Sequence, residues 1–276
     1  RELGGYAGAD CRHIRRGILF RTGAIGNISE AGKAFLRDHR VTLIVDFRDR
    51  LEVETLPDPV MAGIRNVQIQ VFTIPQDSPL GTLATSTLLH GGHMAKGIEM
   101  WASTLPGKQN TKMPHLEGLL NMLRTGTSII QQTYTTLLHG EAGIAGYRQF
   151  FRLLTDQPRD EAVLWHCSMG KDRTGVAAAL LMSVLGVSRQ EILDHYELTN
   201  TYLEDQIEDL KKKVAERTHD DHVVQTAATY WGVGRAVLAE ALAQLDTQYG
   251  SPMGYVRQVL GLSDEDIRAL QDKYLE

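Results

Sequence analysis

The sequence predicts an α/β fold, with a central, mostly parallel sheet flanked by helices. Three observations carry this reading. In the first third, apolar runs of strand length are separated by a helix-length amphipathic segment. Further on, Ala162-Val163-Leu164-Trp165 is wholly apolar, as a strand buried on both faces must be. Soon after it, the stretch from Thr174 to Leu185 is almost entirely apolar and long enough for a buried helix.

The elements follow in order. Gly17 to Phe20 reads as the first strand, Val41 to Phe47 as the second and Asn66 to Ile74 as the third. Between the first two, Ser29 is placed to cap a helix running to about His39, its hydroxyl accepting from an amide that the first turn leaves unpaired. From Thr82 to Lys112, Gly91-Gly92, Gly97 and Pro106-Gly107 interrupt the apolar patches, with Pro114 following, and residues 82–128 are read as a lid or insertion. His90 and His93 lie there with no carboxylate or thiol cluster beside them, so exposed or packing roles are expected rather than a metal site. Helices are expected over Leu116 to Leu123 and Gly143 to Leu154.

Beyond the central helix, Ser188 and Glu191 form a capping-box pair that opens a long helix. Ile192, Tyr196, Thr199, Leu203, Ile207, Leu210 and Val214 recur along it at helical spacing and make a stripe for the core or a lid partner. Lys211-Lys212-Lys213 lies mostly off that stripe and reads as a solvated helix end, where cations suit the dipole. Val233 to Leu245 is a further amphipathic helix. Ser263 to Leu275 is the last, with Asp264-Glu265-Asp266 in its first turn.

Composition fits one globular domain over residues 1–276, with 42% hydrophobic and 23% charged residues. A formal charge of −5 argues against a nucleic-acid partner. No apolar run reaches the roughly 20 residues of a spanning helix, so a soluble protein is expected. The 2 cysteines, Cys11 and Cys167, make no disulfide framework, and Cys11 reads as an inert thiol. Beginning at Arg1 rather than Met, the chain is expected to be a trimmed or mature form, which leaves cytoplasmic and exported locations both open. Oligomeric state is not legible.

The chemistry concentrates in His166-Cys167-Ser168-Met169-Gly170-Lys171-Asp172-Arg173-Thr174-Gly175, between the apolar strand and the apolar helix. In a parallel sheet, ligands bind outside the carboxyl ends of the strands, which is where Cys167 falls. Unpaired amides and the positive end of the helix dipole suit a phosphate dianion there. The same surroundings depress a thiol's pKa, which makes Cys167 a nucleophile without a separate base. Arg173 offers a planar fork to the phosphoryl oxygens. Ser168, Met169, Gly170, Lys171, Asp172 and Arg173 form the rest of the anion cradle, with Gly170 allowing close approach. Thr174 is a candidate donor to the Cys167 sulfur, and His166 a candidate brace.

The motif resembles the signature of the bacterial cysteine-dependent tyrosine and lipid phosphatases of the protein tyrosine phosphatase superfamily. Arg1-Glu2-Leu3-Gly4-Gly5-Tyr6, Gly17 to Gly23, Val41 to Arg48 with Glu52 beyond, Leu193 to Asn200 and the Tyr255 to Tyr274 tail resemble other segments of that family. Thr82 to Ser128 resembles nothing in it. The resemblance implies a tyrosine-phosphatase-like fold and a phosphomonoester hydrolase with a cysteinyl-phosphate intermediate, needing no metal or organic cofactor. Phosphorylated protein and phosphoinositides are the implied substrates, the latter through Lys171 as an additional cation in the loop. A general acid is required, and both Asp172 in the loop and Asp77 in a Pro-containing turn after the third strand are candidates. Asp46 and Arg48 read as braces. The alternative is a catalytically idle phosphate-binding module. An arsenate reductase or sulfurtransferase is disfavoured because no shuttle cysteine lies near Cys167 in sequence.

Overall fold

The structure is a computed structural model and describes residues 1–72, 127–216 and 221–276. Its centre is a four-stranded sheet in the order β1-β4-β2-β3, formed by β1 (Leu19–Thr22), β2 (Val41–Asp46), β3 (Arg65–Gln68) and β4 (Ala162–His166). Every pairing is parallel, and β4 lies between β1 and β2. The register decides which groups share an edge. Thr22 and Asp46 both pair with His166, so three strands end level and send Gly23, Phe47 and Cys167 out at one edge.

Both faces of the sheet are covered, as parallel pairing requires. On one side, α1 (Glu30–Asp38) is capped by Ser29, whose hydroxyl accepts from the Gly32 amide at 3.1 Å. Its Leu36 packs with Phe20, Ile44 and Leu164. The other face carries the main core, where Leu43, Val45, Val163 and Trp165 meet α4 (Glu141–Asp156) and α5 (Asp172–Val184). Nearly every residue of α5 from Thr174 onward is buried, which explains an apolar run without a polar stripe. Three C-terminal helices, α9 (Arg235–Tyr249), α10 (Pro252–Gln258) and α11 (Asp264–Tyr274), add to that side.

The expected strands and the Ser29, Gly143, Val233 and Ser263 helices are all present, with shifted ends. The third strand pairs only over Arg65–Gln68, and its continuation from residue 73 lies outside the described residues. So do the Leu116 helix, the Thr82 to Lys112 stretch, His90, His93 and Asp77. The long Ser188 helix is a correction. It divides into α6 (Arg189–Tyr202) and α7 (Glu204–Ala215), because Ile192, Tyr196 and Thr199 turn into the core whereas α7 pairs with α8 (Asp221–Trp231). Ser188 caps it as expected, its hydroxyl meeting both the amide and the carboxylate of Glu191. Lys211 pairs with Glu208 at 2.6 Å, and Lys212 is exposed. Among the described residues, three further helices were not expected: α2 (Arg50–Thr55), α3 (Thr127–His139) and α8. Among the described residues, no helix is long and apolar enough to cross a membrane.

The last helix offers a direct check on local sequence control. Ser263 caps α11 reciprocally with Asp266, and the helix buries Ile267, Leu270 and Tyr274. Ser263→Ala should lower unfolding free energy by ~1 kcal/mol, read as a lower denaturant midpoint at unchanged slope.

Candidate active site

Cys167 leaves the end of β4 and is buried, with 2% of its surface exposed. The chain turns through Gly170, at φ +67°, into α5 at Asp172. A side chain at Gly170 would bring its Cβ within 2.3 Å of the Thr22 carbonyl, so both conformation and space require glycine.

Three of the loop carbonyls accept from groups outside the loop, and Lys171 O takes the first helical bond of α5. His166 O accepts from the Phe47 amide at 2.9 Å, Ser168 O from the Ala24 amide at 3.1 Å, and Lys171 O from Gly175 at 2.7 Å. Gly170 O accepts from the fully buried Arg21 guanidinium at 2.8 Å. In a trans peptide the next N–H points opposite to the carbonyl, so these bonds turn the following amides away from the donors. That is the cradle an anion needs at a helix N-terminus. Arg21 Nε and Nη1 are buried without partners, and burial followed by the Arg1 charge lowers Arg21 to about 9.

Arg173 is oriented by Glu52, the third residue of α2. Glu52 Oε2 accepts from Nη1 at 2.5 Å and Oε1 from Nη2 at 2.8 Å. Ser168 also donates to Glu52 Oε1. This end-on pairing occupies both terminal nitrogens and leaves Nε outside the Glu52 contact. Burial alone would raise Glu52, but the Arg173 charge and the hydrogen bonds from Arg173 and Ser168 outweigh it and hold Glu52 at about 2. On Arg173 itself burial works downward, and Glu52 reverses it to leave the guanidinium well above its usual value.

Behind the loop, Arg48 binds Asp46 through Nε and Nη2, with its Nη2 also 2.8 Å from Asp58 Oδ1. Asp58 Oδ2 in turn meets His166 Nε2 at 2.7 Å. Asp46, Asp58 and His166 are close enough to suggest a cation site. The Arg48 guanidinium already sits on both carboxylates, so this donor set does not fit a metal. Asp46 and Arg48 are the braces expected of them.

Asp172, half-exposed, accepts from the Tyr134 phenol at 2.8 Å. Lys171 points elsewhere. Its Nζ reaches Gly232 O at 3.2 Å and Trp231 O at 3.4 Å, at the C-terminal end of α8, and lies 3.7 Å from Asp172 Oδ2. Met169 is half-buried in the loop. The Thr174 hydroxyl is buried without a hydrogen-bond partner, so the expected bond to the Cys167 sulfur is not formed. Cys11 is exposed and, like Cys167, a free thiol.

A profile of the tyrosine phosphatase family matches residues 1–276. The chain belongs to that family. A tyrosine-protein phosphatase of Nostoc commune is 35% identical over 133 residues, which are 45% of this chain and 42% of that protein. The triple specificity protein phosphatase PtpB of Mycobacterium tuberculosis is 24% identical across 94% of this chain and 91% of its own length. The chain thus spans under half of the Nostoc protein and almost all of the mycobacterial one.

Cys167, Ser168, Met169, Gly170, Asp172 and Arg173 lie along the one loop, Lys171 turns its ammonium to the end of α8, and Asp77 lies outside the described residues. Glu52, Asp58, Arg21 and Tyr134 were missed as site residues. For Glu52 a local signal existed, since Asp49 and Glu52 have capping-box spacing.

Glu52 gives a pH test. A depressed carboxyl contributes stability that is complete above its ordinary value of 4.5 and is lost as pH falls toward about 2. Between pH 5 and 2 the wild type should lose ~3 kcal/mol more stability than Glu52→Gln, measured by denaturant unfolding at each pH.

Proposed function

We propose that the chain is a phosphomonoester hydrolase working through a cysteinyl-phosphate intermediate on Cys167, with residues 1–276 as one phosphatase domain. The observation that carries this reading is the loop itself: a buried cysteine and a carboxylate-oriented arginine share one anion cradle at the start of a buried helix. A binding module needs the cradle but not the thiol, so the idle alternative has no observation in its favour.

The Cys167 thiolate attacks phosphorus, the S–P bond forms and the P–O bond to the leaving group breaks. The loop amides and the Nε edge of Arg173 hold the three equatorial oxygens as charge spreads over them. Asp172 gives its proton to the departing oxygen and, as carboxylate, takes one from the water that next attacks phosphorus and breaks the S–P bond. Asp172 is preferred to Asp77 because it stands in the loop with a defined hydrogen-bond partner. The residues assign no step to a metal or an organic cofactor.

Phosphotyrosine is the proposed substrate, as the tyrosine phosphatase relatives suggest. Extension to phosphoinositides rests on Lys171 as an additional loop cation and on the triple specificity in the mycobacterial relative's name.

Three variants test the chemistry. Cys167→Ser should reduce phosphotyrosine turnover to background while still binding tungstate by calorimetry, and near wild-type turnover would refute the intermediate. Arg173→Ala should lose about 10²–10³-fold in kcat and also weaken tungstate binding. For substrate range, Lys171→Met should depress hydrolysis of a soluble phosphoinositide selectively; parallel changes on phosphotyrosine peptide would remove phosphoinositides from the proposal.

A further inference from the structure

Asp172 is the end of a buried chain of hydroxyls. Tyr134, near the middle of α3, has 1% of its surface exposed and donates to Asp172 Oδ1 at 2.8 Å. Tyr196, on α6, has 2% exposed, and its phenol meets the Tyr134 oxygen in a second, short hydrogen bond. The two rings pack edge to face, 6.5 Å between centroids.

The direction of this chain comes from proton counting. A phenol has one proton to donate, and Tyr134 gives its own to a carboxylate oxygen that can only accept. Tyr196 must therefore donate to Tyr134. Burial first, and then the Asp172 charge, raises both phenols above their ordinary value, so each keeps its proton at neutral pH. Neither tyrosine can itself supply the proton for a leaving group.

The consequence falls on Asp172. With Oδ1 held as a hydrogen-bond acceptor, a protonated Asp172 carries its proton on Oδ2. Lys171 Nζ approaches that oxygen only to 3.7 Å, beyond hydrogen-bond reach. We propose that Tyr134, backed by Tyr196, is a positioning residue that reserves Oδ2 of Asp172 as the proton-bearing oxygen and fixes the carboxyl plane for transfer to the leaving group. This rests on the reading of Asp172 as general acid. The proton that moves is the one on Asp172 Oδ2; it goes to the leaving oxygen as the P–O bond breaks, and both phenol protons stay in place.

A positioning role is separable from a structural one by leaving group. Phosphotyrosine peptide needs protonation of a poor leaving group, and 4-nitrophenyl phosphate does not. Tyr134→Phe should lower kcat on the peptide by about 10- to 100-fold, the worth of one hydrogen bond to a charged group, while KM and kcat on 4-nitrophenyl phosphate stay within about threefold. Tyr196→Phe should show the same selectivity with a smaller loss. Adding Tyr134→Phe to Asp172→Asn should cost nothing more, because one function is removed twice. Equal losses on the two substrates, additive losses in the double variant, or a Tyr134→Phe melting point so lowered that Tyr196→Phe alone is assayable and proves unselective, would each overturn the proposal. If Asp172→Asn is itself unselective, the acid assignment fails; if it is selective and Tyr134→Phe is not, only the tyrosine's role fails.

Discussion

The carboxylate of Glu52 ties the two ends of the Cys167 to Arg173 loop to one point. Its Oε1 accepts from Ser168 and from Arg173 Nη2, and its Oε2 from Arg173 Nη1 and the Asp49 amide at 2.9 Å. All its lone-pair directions are therefore used. A carboxylate so enclosed would ordinarily protonate to escape desolvation, and four donors are what keep it charged. Because it is charged, Glu52 fixes the direction of the Arg173 guanidinium through both terminal nitrogens. Removing either partner alone would strand a buried charge, so the two residues stand or fall together.

The short helix α2 matters for the same reason. Six residues cannot hold a helix by propensity alone. Asp49 and Glu52 close it with reciprocal bonds, and Glu52 then serves helix and loop at once. The level ends of β1, β2 and β4 supply the rest of the frame, since Ala24 and Phe47 deliver amides to loop carbonyls from the two neighbouring strands. Loop conformation is thus set by groups outside the loop. Arg21 adds charge to shape: fully buried, with two nitrogens unpartnered, it leaves the back of the loop short of negative charge and suits an anion on the other side.

What the sequence disclosed and what it withheld divide along contact range. Ala162 to Trp165, the Ser29 and Ser263 caps and the Cys167 to Arg173 spacing are local patterns, and each is found where its residues predict it. Glu52 lies far from Arg173 in sequence, as does Tyr134 from Asp172, and no local period marks such pairs. The break at Leu203 was hidden differently. No glycine or proline interrupts the apolar spacing there, yet the two halves of the stripe pack against different partners, and tertiary packing overrides the continuous pattern. Helix α2 was missed because so short a segment has almost no periodicity to read.

Lys171 shows how far a residue's chemistry can be redirected by its neighbours. Taken from the motif, it is a cation offered to phosphate; in the fold its ammonium lies against the last carbonyls of α8, where a positive charge offsets the negative end of a helix. Asn200 holds the same junction from α6, donating to Val233 O at 3.0 Å and accepting from Val233 N at 2.8 Å. The loop and the α7–α8 pair therefore share an anchor. A substrate phosphate that recruited Lys171 would have to uncap α8, giving up roughly 0.3–1 kcal/mol or somewhat more in this buried setting. That is comparable to what one added cation contributes at an exposed phosphate. On the proposed substrate reading, a second phosphate competes with the end of α8 for Lys171, whereas a single phosphate leaves the lysine where it is.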